Sequence, residues 1–212
     1  MIIEQRSDEW FKIRRGKITS SEIHKIMGGK ENTLTDTAKT YLLEKVSEFF
    51  GAIAPLAGGP ALDWGTNLEP EAIKVYSGKK NLTVNASSFI PVGEYYGGSP
   101  DGEVQPDGII EVKCPYNSVN HFKHGLIKSV EDFKKVAPNY YYQCLSNMIC
   151  AEARWCDFIS YDPRVDSQYQ MFIFRLDLDE KEAEYVGEKI KVAVAYMKEL
   201  KEKVENARLI EG

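Results

Sequence analysis

Apolar residues recur along this chain at two periods, and the changes of period mark out its elements. Ala38, Tyr41, Leu42, Val46 and Phe49 return every three or four positions, the stripe of an amphipathic helix, with Lys45 at its edge. Thr35 stands where that helix starts. Ser7 is placed to cap a shorter helix through Arg14, with Asp8 and Glu9 in its first turn. Thr19-Ser20-Ser21-Glu22 has the pattern of a capping box opening a helix toward Met27, which Gly28-Gly29 would end. Residues 51–60, rich in Gly, Ala and Pro, read as a loop. Trp64 to Tyr76 reads as another helix, in which Pro70 either makes a kink or starts a new helix. Short strands are expected near 82–85 and 88–92, then a hairpin near 95–113. Tyr116 to Lys135 is helical in parts, and Asn139 would cap a buried helix through Cys150. Arg154–Tyr161 and Tyr169–Leu176 have the pattern of strands joined by Asp162-Pro163-Arg164, and Asp179 to about Ala207 that of a long charged helix. The expected class is α/β or α+β, a central mixed sheet flanked by helices. One domain over 1–212 is expected, with core motifs in 7–164 and a C-terminal strand and long helix in 169–207.

The hairpin carries the chemistry. Ile109 to Val112 is apolar and β-branched except for Glu111, the mark of a buried strand. Side chains alternate along a strand, so Glu111 and Lys113 share one face while Val112 turns to the core. Gly102 after Asp101, and Gly108 after Asp107, mark a turn that brings Asp101 opposite Glu111. Each piece alone is common in turns and strands. Together they place two carboxylates and an amine within the span of one hairpin. A hard cation such as Mg²⁺ takes carboxylate, phosphate and water oxygens. A lysine beside it can stabilise developing charge or orient water, so the set suits metal-assisted cleavage of a phosphodiester.

Charge and composition narrow the class. The net charge of −5 argues against a protein that coats DNA through bulk charge, although local charge still governs an enzyme cleft. The first 30 residues are basic on balance and the segment after 176 acidic, which fits a DNA channel with a solvated outer helix. The four cysteines lack C-x-x-C spacing and read as small buried side chains. His121 and His124 lack two further ligands at zinc spacing, and read as a DNA-backbone contact or a solvated loop. No apolar run approaches the roughly 20 residues that span a bilayer, and the start lacks a secretory apolar core. An intracellular protein with no membrane partner is expected.

Six blocks, in order, resemble the lambda exonuclease/YqaJ viral recombinase family of the PD-(D/E)xK nucleases. They are Trp10 through Glu22, Trp64 through Glu69, Ser99-Pro100-Asp101-Gly102, Glu111-Val112-Lys113-Cys114-Pro115, the helix holding Gln143, and Tyr161-Asp162-Pro163-Arg164. The resemblance implies a restriction-endonuclease-like core. It also implies a Mg²⁺-dependent exonuclease (one or two ions, Mn²⁺ able to stand in) that degrades one strand of linear duplex DNA from its 5′ end. The products would be 5′-mononucleotides and a 3′ single strand for recombination by annealing. Asp101, Glu111, the backbone carbonyl of Val112, and Glu69 would hold metal. Lys113 would position or activate water, either as a base or electrostatically. Gln143 would bond water, phosphate or the surroundings of the lysine. Arg14, Ser21 and Ser99 would grip the terminal 5′-phosphate. Some of Tyr140, Tyr141 and Tyr142 would be core and some would line the DNA path. The resemblance further implies a ring-shaped homotrimer, a single-strand annealing partner, and the cytoplasm of a bacterial host carrying a phage or prophage. Two readings compete. One is the same core cutting internally or on single strands. The other is a non-catalytic DNA-end-binding scaffold, against which the complete Asp101, Glu111, Lys113 set argues.

Overall fold

The computed structural model describes residues 5–53 and 58–207. The expected loop at 51–60 falls partly outside them. Two caps form as their side chains suggest. Ser7 Oγ accepts from the Trp10 N–H at the start of α1 (Asp8–Arg14), and Thr35 Oγ1 from the Ala38 N–H at the start of α2 (Asp36–Phe49). Between them lie β1 (Ile18–Thr19) and a 3₁₀ segment, Ser20–Ile26. That segment corrects the expected capped helix. Thr19 makes no cap bond, and its hydroxyl lies instead 3.2 Å from Ser21 Oγ. Helix α3 (Pro60–Lys80) is one continuous helix with Pro70 inside it.

The strands divide into two mixed sheets where one was expected. β1, β2 (Ile90–Val92) and β3 (Tyr96–Gly98) make a small sheet in the order β1-β3-β2, with β1 parallel to β3. β4 (Gly102–Val104), β5 (Gly108–Lys113), β6 (Trp155–Tyr161) and β7 (Met171–Asp177) make the larger one in that order, with β5 parallel to β6. The hairpin is therefore β4–β5 alone, and Tyr96–Gly98 belongs to the other sheet. The strand expected at 82–85 reduces to a bridge between Asn85 and Glu103.

The parallel β5–β6 pair needs a crossover, supplied by α4 (Ser118–Gly125), α5 (Val130–Val136) and α6 (Pro138–Ala151). Helix α6 starts with Pro138 at its first position, where a missing N–H costs nothing, so Asn139 is not its cap. It packs on β3, β5, β6 and the 3₁₀ segment, and so joins the two sheets. The larger core lies around α6, α2 and α7 (Glu180–Ala207) and takes Ile109 from β5. A second core lies against α3 and takes Ile110 and Val112. Strand β5 is thus covered on both faces, and the face carrying Glu111 is the one turned to α6. Helix α7 is less solvated than expected, because Lys189 is fully buried. Its ammonium donates to the carbonyls of Gly28, Lys30 and Thr33, which ties down the loop after the 3₁₀ segment.

Candidate active site

Asp101 lies just before β4, and its N–H donates to the Ile110 carbonyl (3.1 Å), so its side chain reaches across to β5. Asp101 Oδ2 accepts from the Val112 N–H at 2.7 Å. Glu111 is completely buried and its carboxylate is held on both oxygens. Oε1 accepts from Lys113 Nζ and from Gln143 Nε2 (2.6 Å), and Oε2 from Asn147 Nδ2 (2.9 Å). Gln143 and Asn147 are one helical turn apart, so α6 presents both amides to the same carboxylate.

A buried carboxylate, Glu111, and a half-buried one, Asp101, side by side strain their ionised forms. Burial, then the Glu111 charge, push the Asp101 carboxyl well above its ordinary range. Burial also raises Glu111, against the pull of Lys113. Burial alone would lower Lys113, but the Glu111 and Asp101 carboxylates outweigh it and hold the ammonium charged. The donor set is all oxygen and calls for positive charge, which is the chemistry of a hard-cation site. Among the described residues no three His, Cys, Asp or Glu side chains already close into a metal cluster. Glu69, on α3, pairs with Arg6 at 2.6 Å.

A 160 Å³ cavity joins this acidic pair to the basic end of the site. Arg14, Ser21, Ser99, Glu69, Asp101, Glu111, Val112, Lys113 and Gln143 all line it, so every sequence-predicted site residue meets there. Arg14 stacks 3.9 Å over Trp10 and reaches Ser21 Oγ at 3.4 Å. Burial lowers its pKa to about 10, which leaves it charged at neutral pH. Trp10 Nε1 donates to Ser99 Oγ at 3.3 Å, and the Ser99 N–H donates to Asn147 Oδ1 at 3.1 Å. A second cavity of about 730 Å³ opens on the other side of Lys113, lined by Tyr116, Asn120, His124 and Tyr140 among others.

Trp10, Arg6 and Asn147 escaped the sequence reading. Asn147 carried a signal, since it falls four residues after Gln143 on one helix face. Of the tyrosine run, Tyr141 is core and Tyr140 faces the larger cavity with its ring 5.0 Å from Lys113 Nζ. Tyr142 is half-buried against the core. The two histidines correct the solvated-loop reading, because both lie on α4, are buried and bond Ser160 Oγ. The four cysteines are free and buried, as expected. No helix among the described residues is long and apolar enough to cross a membrane.

A mixed α/β fold that gathers an acidic pair, a lysine and an arginine–serine pocket in one cleft is that of a nuclease acting on DNA. Residues 9–154 match the YqaJ-like viral recombinase domain, and the chain belongs to that family. Among solved structures it is similar to an alkaline exonuclease, LHK-Exo, from Laribacter hongkongensis. The identity is 26% and the TM-score 0.82, over 97% of this chain and 100% of that one. A structure of LHK-Exo in complex with dAMP matches at 27% identity, with the same TM-score and coverage. A phage-related exonuclease from Haemophilus somnus 129PT shares the fold at 19% identity and TM-score 0.74, over 89% of this chain and 96% of that one. No curated protein matches the chain.

Proposed function

We propose that this nuclease is a Mg²⁺-dependent exonuclease that digests one strand of linear duplex DNA from its 5′ end. It releases 5′-mononucleotides and leaves a 3′ strand for recombination by annealing. The observation that carries the reading is the single cavity shared by Arg14, Ser21 and Ser99 at one end and Asp101, Glu111 and Lys113 at the other. An arginine and two hydroxyls suit a terminal phosphate, which can accept several charge-assisted bonds. A phosphate gripped there sets the distance from the strand end to the bond that is cut. Asp101, Glu111 and the Val112 carbonyl would hold the metal, joined by Glu69 once it releases Arg6. Bound there, a divalent cation supplies Lewis-acid activation of the phosphodiester and of water. Lys113 stabilises the charge that develops on the phosphate, and Gln143 and Asn147 fix Glu111 so that the carboxylate does not turn away. Water adds to phosphorus and the 3′ oxygen leaves. A homotrimeric ring, a single-strand annealing partner and action in the bacterial cytoplasm complete the reading, supported by the family.

The test is digestion of linear duplex DNA labelled at the 5′ or the 3′ terminus, with Mg²⁺ or with EDTA, beside a closed circular duplex. Early release of the 5′ label in Mg²⁺ alone, with an intact circle and no release by Lys113→Ala, is the expected result. Cutting of the circle rejects it. Arg14→Ala should reduce the preference for 5′-phosphorylated ends. An equal loss on phosphorylated and unphosphorylated ends rejects the phosphate grip.

A further inference from the structure

Three side chains form a chain of hydrogen bonds that ends at the larger cavity. His121 Nε2 lies 2.8 Å from the Tyr169 carbonyl, His121 Nδ1 lies 2.9 Å from Ser160 Oγ, and the same Oγ lies 3.0 Å from His124 Nδ1. The direction of each bond follows from the fixed end. A carbonyl only accepts, so His121 Nε2 carries the proton and, in the neutral ring, His121 Nδ1 is bare. Ser160 must then donate its single proton to His121. Its lone pair is left to accept from His124, so His124 carries its proton on Nδ1. The neutral ring of His124 therefore has a bare Nε2. Among the described residues the His124 ring hydrogen-bonds only Ser160, through Nδ1, and His124 lines the 730 Å³ cavity.

Ser160 is the register partner of Lys113 on the adjoining strand, so this acceptor is built beside the catalytic lysine. Around it the cavity offers the rings of Tyr116 and Tyr140 and the amide of Asn120, a lining suited to a flat ring edged with donors and acceptors. We propose that His124 Nε2 is a substrate-contacting acceptor, locked in one tautomer by Ser160 and His121, that takes a hydrogen bond from a base amino group of the DNA strand lying in the larger cavity. This deepens the nuclease reading and rests on it. Burial, and then the positive charges of Lys113 and Lys123 nearby, favour the neutral ring that the acceptor role needs.

Two substitutions separate the two ends of the imidazole. His124→Asn keeps a donor near the Nδ1 position and removes the cavity acceptor, whereas His124→Gln keeps an acceptor near Nε2. On linear duplex DNA with Mg²⁺, His124→Asn should raise KM roughly five-fold or more (about 1 kcal/mol) with kcat and Tm little changed. His124→Gln should return KM toward the wild-type value. A wild-type KM in His124→Asn, or an equal KM defect in the two variants, overturns the proposal. Independently of either variant's folding, ¹⁵N NMR of the wild-type protein should show an unprotonated His124 Nε2 whose resonance moves when 5′-phosphorylated duplex is added in EDTA. A protonated Nε2, or an unmoved one with DNA bound, overturns it equally. If the wild-type protein fails to digest linear duplex in Mg²⁺, it is the nuclease reading that falls.

Discussion

Glu111 has no exposure to solvent, so its ionised form depends on the three donors that replace water. Asn147 serves two of the groups this site must fix, the second carboxylate oxygen of Glu111 and the N–H of Ser99. Asn147→Ala would leave both unpaired. The expected cost is about 1–3 kcal/mol for each group, with a loss of roughly ten-fold or more in turnover. Urea unfolding and single-turnover digestion check the two effects separately, and normal turnover would show that Asn147 is not needed to hold the site. At this scale Asp101, Glu111 and Lys113 were legible, because strand alternation puts Glu111 and Lys113 on one face and the turn after Gly102 brings Asp101 opposite them. Asn147 and Trp10 were not, because their partners lie 36 and 89 residues away and meet them only when the two sheets come together on α6. His121 and His124 were misread for a similar reason. A pair three residues apart on a polar helix is buried only once that helix settles on β6.

The elements position the site through one close approach. Strand β3 ends at Gly98, and a Cβ there would lie 2.7 Å from both Asn147 Oδ1 and Ser20 Oγ, and 2.9 Å from Cys150 Sγ. The absent side chain lets α6 come near enough for Asn147 to reach Ser99. Gly98→Ala should push α6 away from β3, costing about 1–3 kcal/mol by overpacking and lowering activity with it. Gly187→Ala is the contrast, since a Cβ there meets nothing within 4 Å. In the interior of α7 that change should stabilise the protein by about 0.4–1 kcal/mol and leave digestion unaltered. Thermal melts beside activity assays distinguish the pair, and equal effects would remove Gly98 from the argument. Long periodic elements such as α2 and α7 were legible here, as were the caps at Ser7 and Thr35. The Thr19 to Glu22 segment carried the pattern of a capping box but turns into a 3₁₀ segment, with the Thr19 and Ser21 hydroxyls directed to each other, Ser21 also to Arg14, and Ser20 to Ser146 of α6. The pattern states which bonds are available locally, and tertiary packing chose others.

Across the molecule, two buried polar knots tie α4 to β6 and the residues just beyond it, and should set the response to acid. In the first, His124 is held neutral, its pKa lowered to about 4 by burial and then by the nearby His121, Lys113 and Lys123. In the second, Asp162 accepts from Arg164 and Ser118, and Arg164 also donates to the Pro115 carbonyl just beyond β5. Burial works to raise Asp162, but these bonds outweigh it and bring its pKa down to about 2. The signs follow by linkage. A histidine near 6.5 when unfolded and about 4 when folded takes up its proton first in the unfolded chain. Its contribution is therefore complete above pH of about 6.5, declines as the pH falls, and is gone near pH 4, on the order of 3 kcal/mol in all. Asp162 adds a second and lower window, because its stabilisation is lost as the pH falls below its ordinary 3.8 toward about 2. Urea unfolding of the whole chain should thus weaken in two steps. His124→Gln has no imidazole to titrate, so it should flatten the upper step and leave the lower one. Asp162→Asn should lose stability already at neutral pH and show no lower step from this group. A wild-type protein equally stable at pH of about 7 and about 5 would mean that His124 is charged as readily folded as unfolded, and that its ring is not sealed against β6 in the way the Ser160 bond requires.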